Sequence, residues 1–180
     1  MFPRSLELLE EGLYKEVLDA FDQAIKLNPD ADATWFARSM MLRDLGHYQE
    51  ALQAFDKAIE INPQHDLAWA NKGIALSGLD RRLEAVEAFG RALSIDPNDI
   101  KTWCDRGVML EQLGLRQEAL EAFEQAIKIN PKSGEVWCAK GLTLWCLNSH
   151  ADTRETLYTA LELGCSEARD FLEALRREGH

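Results

Sequence analysis

At 180 residues, with 46% hydrophobic and 28% charged positions, the chain has apolar material for an extended core and charge for a solvated surface. Its net charge of -11, with Lys and Arg scattered apart from the pairs Arg81-Arg82 and Arg176-Arg177, argues against nucleic acid as partner, which needs clustered cations. There is no apolar run of about 18 residues, and Met1-Phe2-Pro3-Arg4 leads into Glu-rich sequence, so neither a membrane span nor a secretory signal is expected.

From the start of the chain a pattern builds that later recurs every 34 residues. Residues 1–31 carry Gly12, Tyr14, Phe21, Ala24 and Pro29 at its positions. Met1, however, falls where a tryptophan recurs later, and Pro3 shortens the opening helix, so this unit is incomplete. Residues 32–65 give the first full unit: Trp35, Ser39, Leu42, Gly46, Ala51, Phe55, Ala58 and Pro63. Residues 66–99 repeat it as Trp69, Gly73, Leu76, Asp80, Ala85, Phe89, Ala92 and Pro97. Residues 100–133 repeat it again as Trp103, Gly107, Leu110, Gly114, Ala119, Phe123, Ala126 and Pro131. Only Ser39 and Asp80 depart from the shared pattern.

Each unit reads as two helices. In the first full unit the spacing predicts a helix over 32–45, with Trp35, Ser39 and Leu42 on one face. Gly46 ends it by tolerating the left-handed conformation. The partner, Tyr48 to Ile61, turns Ala51, Leu52, Phe55, Ala58 and Ile59 inward, and Asn62-Pro63 stops it, since proline has no N–H to donate. The small residues predict close helix contacts, Gly73 against Ala85 and Gly107 against Ala119, with Trp69 and Phe89 wedged towards the next unit. Helices of about 14 residues are marginal alone in water, so burial between units must hold them.

Residues 134–165 form a degenerate unit. It keeps Trp137, Gly141, Leu144 and Ala160, but has Thr153 for alanine, Leu157 for phenylalanine and Gly164-Cys165 in place of the Asn-Pro stop. The remainder, 166–180, carries a last helix with Phe171, Leu172 and Leu175 as its apolar stripe and Glu167, Arg169, Asp170, Glu173 and Arg176 towards water. A terminal unit must cover the open end of a stack, and this helix reads as the cap.

On these recurring residues the chain resembles the tetratricopeptide repeat (TPR) family over about residues 1–167. The resemblance implies an all-α fold: a right-handed α-solenoid of antiparallel helix pairs with a C-terminal capping helix, forming a single domain over 1–180. It also gives meaning to a second apolar stripe on the first helix of each unit, one residue beyond the tryptophan row. That stripe holds Phe36 and Met40, then Ala70 and Ile74, then Cys104 and Val108, then Cys138 and Leu142. In TPR proteins this side lines a concave groove for an extended or helical peptide. The alternative is that part of the stripe packs against neighbouring helices, for which Ala70 and Cys104 are suitably small. Trp145, one turn beyond Leu142, either floors the groove or lies beneath the last helix.

The family's carboxylate clamp for chaperone tails uses Lys and Asn on one inner helix, Asn on the next, and Lys with a second base on the third. Cations are needed there because the ligand ends in paired negative charges. Here Asn71 and Lys101 match, but Phe36 and Met40 replace the first pair and Asp105 replaces the last base. The groove therefore suits apolar side chains, with Asn71 within it and Arg43, Lys101, Asp105 and Glu111 as polar rim.

Intrinsic chemistry finds little support. Cys104 and Cys138 are equivalent residues on successive units, too far apart to bridge, since neighbouring helix axes lie about 8–10 Å apart. Cys138 and Cys146 lie about 12 Å apart along one helix. There is no C-x2-C pair, so no metal is expected, and no phosphate loop, so no cofactor. His47 and His65 fall in turns, His150 opens a helix, and His180 ends the chain, none paired for catalysis. Four unframed cysteines fit a reducing, cytoplasmic setting.

The expected function is a non-enzymatic interaction scaffold or adaptor that binds a peptide or helix of a partner protein. The alternatives are a self-associating homo-oligomeric scaffold and the regulatory portion of a larger enzyme. The candidate groove residues are Phe36, Met40, Asn71, Ile74, Lys101, Cys104, Val108, Cys138, Leu142 and Trp145.

Overall fold

The computed structural model describes residues 3–177, with side chains described from residue 12 onward. Packing divides the chain into two compact units, one ending at Asp80 and the other beginning at Arg81. The first holds α1 (Pro3–Leu27), α2 (Asp32–Asp44), α3 (Tyr48–Ile61) and α4 (Asp66–Gly78). The second holds α5 (Arg82–Ile95), α6 (Ile100–Gln112), α7 (Arg116–Ile129), α8 (Gly134–Cys146), α9 (His150–Glu162) and α10 (Glu167–Arg177). Among the described residues there is no strand. Within each unit every helix packs on its neighbour in sequence, as short connections require.

The expected breaks form, with one exception. Gly46 and Gly114 take the left-handed conformation at φ 78° and 77°. Asp80 and Asn148 hold the same position in their units at φ 60° and 59°, although they carry side chains. The turn geometry thus persists where its preferred residue is lost, helped by the tolerance of Asp and Asn for this region. The exception is Gly12. A break was expected there, yet α1 runs through it as one helix of 25 residues. Glycine permits a left-handed turn without compelling it, and unbroken helical hydrogen bonding prevails here.

The aromatic roles also divide differently from expectation. Phe55, Phe89 and Phe123 are completely buried, whereas Trp35, Trp69, Trp103 and Trp137 are half-buried. Each tryptophan instead donates its indole N–H to the carbonyl of the proline six residues earlier. Trp35 reaches Pro29 at 2.8 Å, Trp69 reaches Pro63 at 3.1 Å, Trp103 reaches Pro97 at 2.9 Å, and Trp137 reaches Pro131 at 2.8 Å. The tryptophan row is therefore a set of turn clasps. It satisfies a carbonyl left over where the preceding helix ends. The nearest neighbour of Gly107 is the ring of Phe123: a Cβ added there would lie 2.6 Å from Phe123 Cε1. Gly141 stands in the same relation to Leu157, at 2.7 Å from Cδ2.

A further device links consecutive helix pairs. Arg38 bonds Asp22 at 2.8 Å, Lys72 bonds Asp56 at 2.6 Å and Lys140 bonds Glu124 at 3.0 Å, always 16 residues apart. Arg106 is the fourth base of this series, but Gly90 occupies the position of its acid. Its Nε is buried with no hydrogen-bond partner, and its guanidinium lies 5.8 Å from the Trp103 ring.

Candidate functional site

In the unit that ends at Asp80, Phe36 lies between two rings, 6.2 Å from Phe55 and 4.6 Å from His65. His65 is thus half-buried by stacking rather than a plain solvated turn residue. Ala70, the equivalent of Phe36, is buried. Met40 and Ile74 are half-buried and keep exposed area. Asn71 is held from both ends: its carbonyl oxygen accepts from Arg43 Nη1, and its amide donates to the Leu67 carbonyl at 2.7 Å.

In the unit that begins at Arg81, Cys104 packs against the core built on Leu110, Ala119, Phe123 and Val136. Its thiol is pushed up to about 11, first by burial and then by the carboxylates of Asp105, Asp99 and Glu135. Val108 is 41% exposed. Lys101 bonds Asp105 at 2.7 Å. Asn71 and Lys101, the two positions that match a carboxylate clamp, are thus each already engaged within the chain.

Cys138 departs from the groove assignment. It is buried in a core with Leu157, Ala160, Ala168, Leu172 and Leu175, because α9 and α10 close over its face of α8. Leu142 and Trp145 pack half-buried on the same core. Trp145 also meets His150 at 5.0 Å between ring centroids. With Leu142, Thr153, Leu157, Phe171, Ala174 and Leu175, it borders a cavity of about 170 Å³ under α10. Of the two placements open for Trp145, packing beneath the last helix is the one adopted. Along the stripe, Ala70 and Cys138 are buried, Phe36, Met40, Ile74, Cys104 and Leu142 are half-buried, and Val108 is the one of the eight that is exposed.

One cluster was not legible in the sequence. Cys138 on α8, Cys165 in the turn between α9 and α10, and Glu167 at the start of α10 bring their Sγ and carboxylate oxygen atoms within 4.8 Å of one another. Burial, then the hydrogen bond and charge of Cys165, then the Glu167 carboxylate, push the Cys138 thiol up to about 12. The cluster borders an open pocket of about 760 Å³ lined also by Glu135, Leu142 and Ser166. Gly134 makes this closeness possible. A Cβ there would lie 2.9 Å from the Leu163 carbonyl oxygen and 3.2 Å from the Cys165 nitrogen, both backbone atoms. The separation of 27 positions between the cysteines hid the pair from any reading by repeat equivalence; the signal available was that Gly134 and Cys165 both break the repeat.

The helix pairs, the glycine turns and the Asn-Pro stops define a helical repeat protein, and the chain belongs to the tetratricopeptide repeat family. Family models for this repeat match residues 33–65, 67–99 and 100–133. The fold is an all-α TPR solenoid. It is similar to the crystal structure of MamA, at 20% identity over 91% of this chain and 95% of that one, with a TM-score of 0.82. It is similar also to YrrB, described as a TPR protein with an unusual peptide-binding site, at 20% identity over 92% and 87% of the two chains and a TM-score of 0.80. A third likeness is to MamA from Desulfovibrio magneticus RS-1, at 21% identity over 88% and 90%, with a TM-score of 0.78. No curated protein sequence matches the chain. No helix among the described residues is long and apolar enough to cross a membrane.

Proposed function

We propose that this protein is a non-enzymatic interaction scaffold that takes an apolar peptide or helix of a partner protein. The observation that carries this reading is the apolar surface that each unit keeps by itself, Met40 and Ile74 half-buried in the first and Val108, 41% exposed, beside half-buried Leu142 in the second. Apolar surface of this kind can receive side chains of an extended or helical segment. Arg43 on α2 is the polar neighbour in the first unit, and Lys101, Asp105 and Glu111 on α6 are those in the second. The peptide-binding site named for YrrB adds support by analogy of fold. All four cysteines are free thiols, in keeping with a reducing, cytoplasmic setting.

The test replaces Met40 and Val108 together with Glu. Partner capture from native lysate should be lost while helicity by circular dichroism is unchanged. Capture at the native level would reject the reading.

A second reading, self-association, is favoured by α1, where Leu13 is 60% exposed, Tyr14 38% and Leu27 88%. Sedimentation should then show a concentration-dependent dimer that Leu13→Glu with Leu27→Glu abolishes. A strict monomer at high concentration would exclude it.

A further inference from the structure

We propose that Cys138, Cys165 and Glu167 form a binding site for a single Zn²⁺ ion that clips α10 to α8. The argument is independent of the interaction surface. Two sulfur donors and one carboxylate oxygen already lie within 4.8 Å of one another. With Zn–S bonds of about 2.3 Å and Zn–O of about 2.1 Å, tetrahedral donors stand about 3.6–3.8 Å apart. The cluster therefore needs to contract by at most about an ångström, and the exposed Glu167 side chain is free to move its carboxylate towards the sulfurs.

The donor chemistry favours Zn²⁺ over hard cations. Two thiolates and one carboxylate suit a borderline-soft d¹⁰ ion, whereas Mg²⁺ and Ca²⁺ call for oxygen donors throughout. Three protein donors leave one tetrahedral position, and the adjoining pocket of about 760 Å³ gives a water access to it. Binding exchanges the two thiol protons for the ion and releases both to solvent, so neither an oxidant nor a reductant is needed. Glu167 and Glu135 border the same pocket and give the approaching cation a negative surround.

The site sits where the repeat pattern ends. Gly134 replaces the side chain that would hold the turn away, and Gly164-Cys165 replaces Asn-Pro. Both departures are required for the two sulfurs to meet.

The experiment uses the full chain, reduced and kept free of oxygen, with Co²⁺ as the optical probe and Zn²⁺ as its competitor. Binding of one Co²⁺ per chain should bring thiolate-to-metal charge-transfer absorption and the visible bands of a tetrahedral site, both erased by equimolar Zn²⁺. Cys165→Ser should roughly halve the charge-transfer intensity, and Cys165→Ser and Glu167→Gln should each weaken binding by about 10-fold or more. Cys146→Ser, at an exposed cysteine outside the cluster, should bind as the native chain does. At one Zn²⁺ concentration the melting temperature of the native chain should rise more than that of Cys165→Ser. Cys165 is only half-buried at the edge of the core around Cys138, and serine is close to it in size, so circular dichroism of Cys165→Ser should match the native chain. Absence of stoichiometric Co²⁺ or Zn²⁺ binding, or native spectra in Cys165→Ser, would overturn the proposal.

Discussion

Four turns of this protein obey one rule and a fifth breaks it. After α1, α3, α5 and α7, an Asn-Pro or Asp-Pro pair stops the helix, and a tryptophan six residues on donates to the proline carbonyl. In three of these turns the Asn or Asp side chain also accepts from a backbone N–H two residues later, as Asn62 does from Gln64, Asp96 from Asn98 and Asn130 from Lys132. After α9 there is neither proline nor tryptophan. Gly164 turns the chain at φ 93°, and Cys165 meets Cys138 instead. The first arrangement is local and portable, which is why it can recur. The second depends on a contact across the fold, and it occurs where the next element is a cap rather than another pair.

The largest expected effects come from two crowded glycines, Gly107 within a helix pair and Gly134 against the α9–α10 turn. Gly107→Leu should cost about 1–3 kcal/mol or more by overpacking Phe123, read as a fall in the urea midpoint. Gly134→Val should cost at least as much, for a different reason: its obstacle is backbone, so no neighbouring side chain can yield. Phe123→Leu should partly rescue Gly107→Ala, whereas no single side-chain reduction in the α9–α10 turn should rescue Gly134→Ala. Equal rescue at both sites would erase the distinction drawn between them.

The clasp itself comes next. Trp103→Phe keeps an aromatic ring but removes the bond to Pro97, and should cost about 1 kcal/mol in a thermal or urea melt. A parent-like melt would mean that the proline carbonyl is equally well served by water.

A gain of similar size is expected where the repeat is faulty. Gly90→Glu restores an acid opposite Arg106, and no neighbour lies within 4 Å of the added Cβ. Relief of a mid-helix glycine should contribute about 0.5–1 kcal/mol, and the ion pair up to about 1 more at low salt. Urea melts at low and high salt separate these two parts.

The smallest effect belongs to Asn62. Its amide donates to Asp32 at 2.8 Å and, ahead of the Ala33 N–H, holds that carboxyl below its ordinary value of 3.8. A carboxylate with a depressed folded value stabilises above its unfolded value, and the benefit is lost as pH falls through the folded one. The stability difference between the native chain and Asn62→Ala should therefore be largest at neutral pH and shrink below about pH 4. A difference constant with pH would assign Asn62 a purely neutral role.

Much of the architecture was open to inspection before any coordinates. Gly46, Gly114 and the Asn-Pro pairs punctuate the chain where φ and a missing N–H demand it, so helix limits such as Tyr48–Ile61 could be read directly. The buried face of Ala51, Phe55 and Ala58 follows from spacing alone. Spacing grouped the tryptophans with the core phenylalanines, because a ring that donates to a turn and a ring that fills a core recur at the same interval. It was silent about Gly12, where permission to turn is not an obligation. Periodicity placed the second apolar stripe on the first helix of each repeat, but could not tell Cys138, buried beneath α9 and α10, from Val108, which is 41% exposed.

What the residues determined unaided is therefore the repeat: its length, its breaks and its inward face, all set by neighbours within a helix turn or two. What tertiary structure alone decided is which of the equivalent outward residues stay open, and that Cys138 and Cys165 meet. The physical reason is reach. Hydrogen bonding and backbone preference act over a few residues and are written in order along the chain. Coverage by another helix, and the approach of two sulfurs 27 positions apart, depend on how separate elements pack in space.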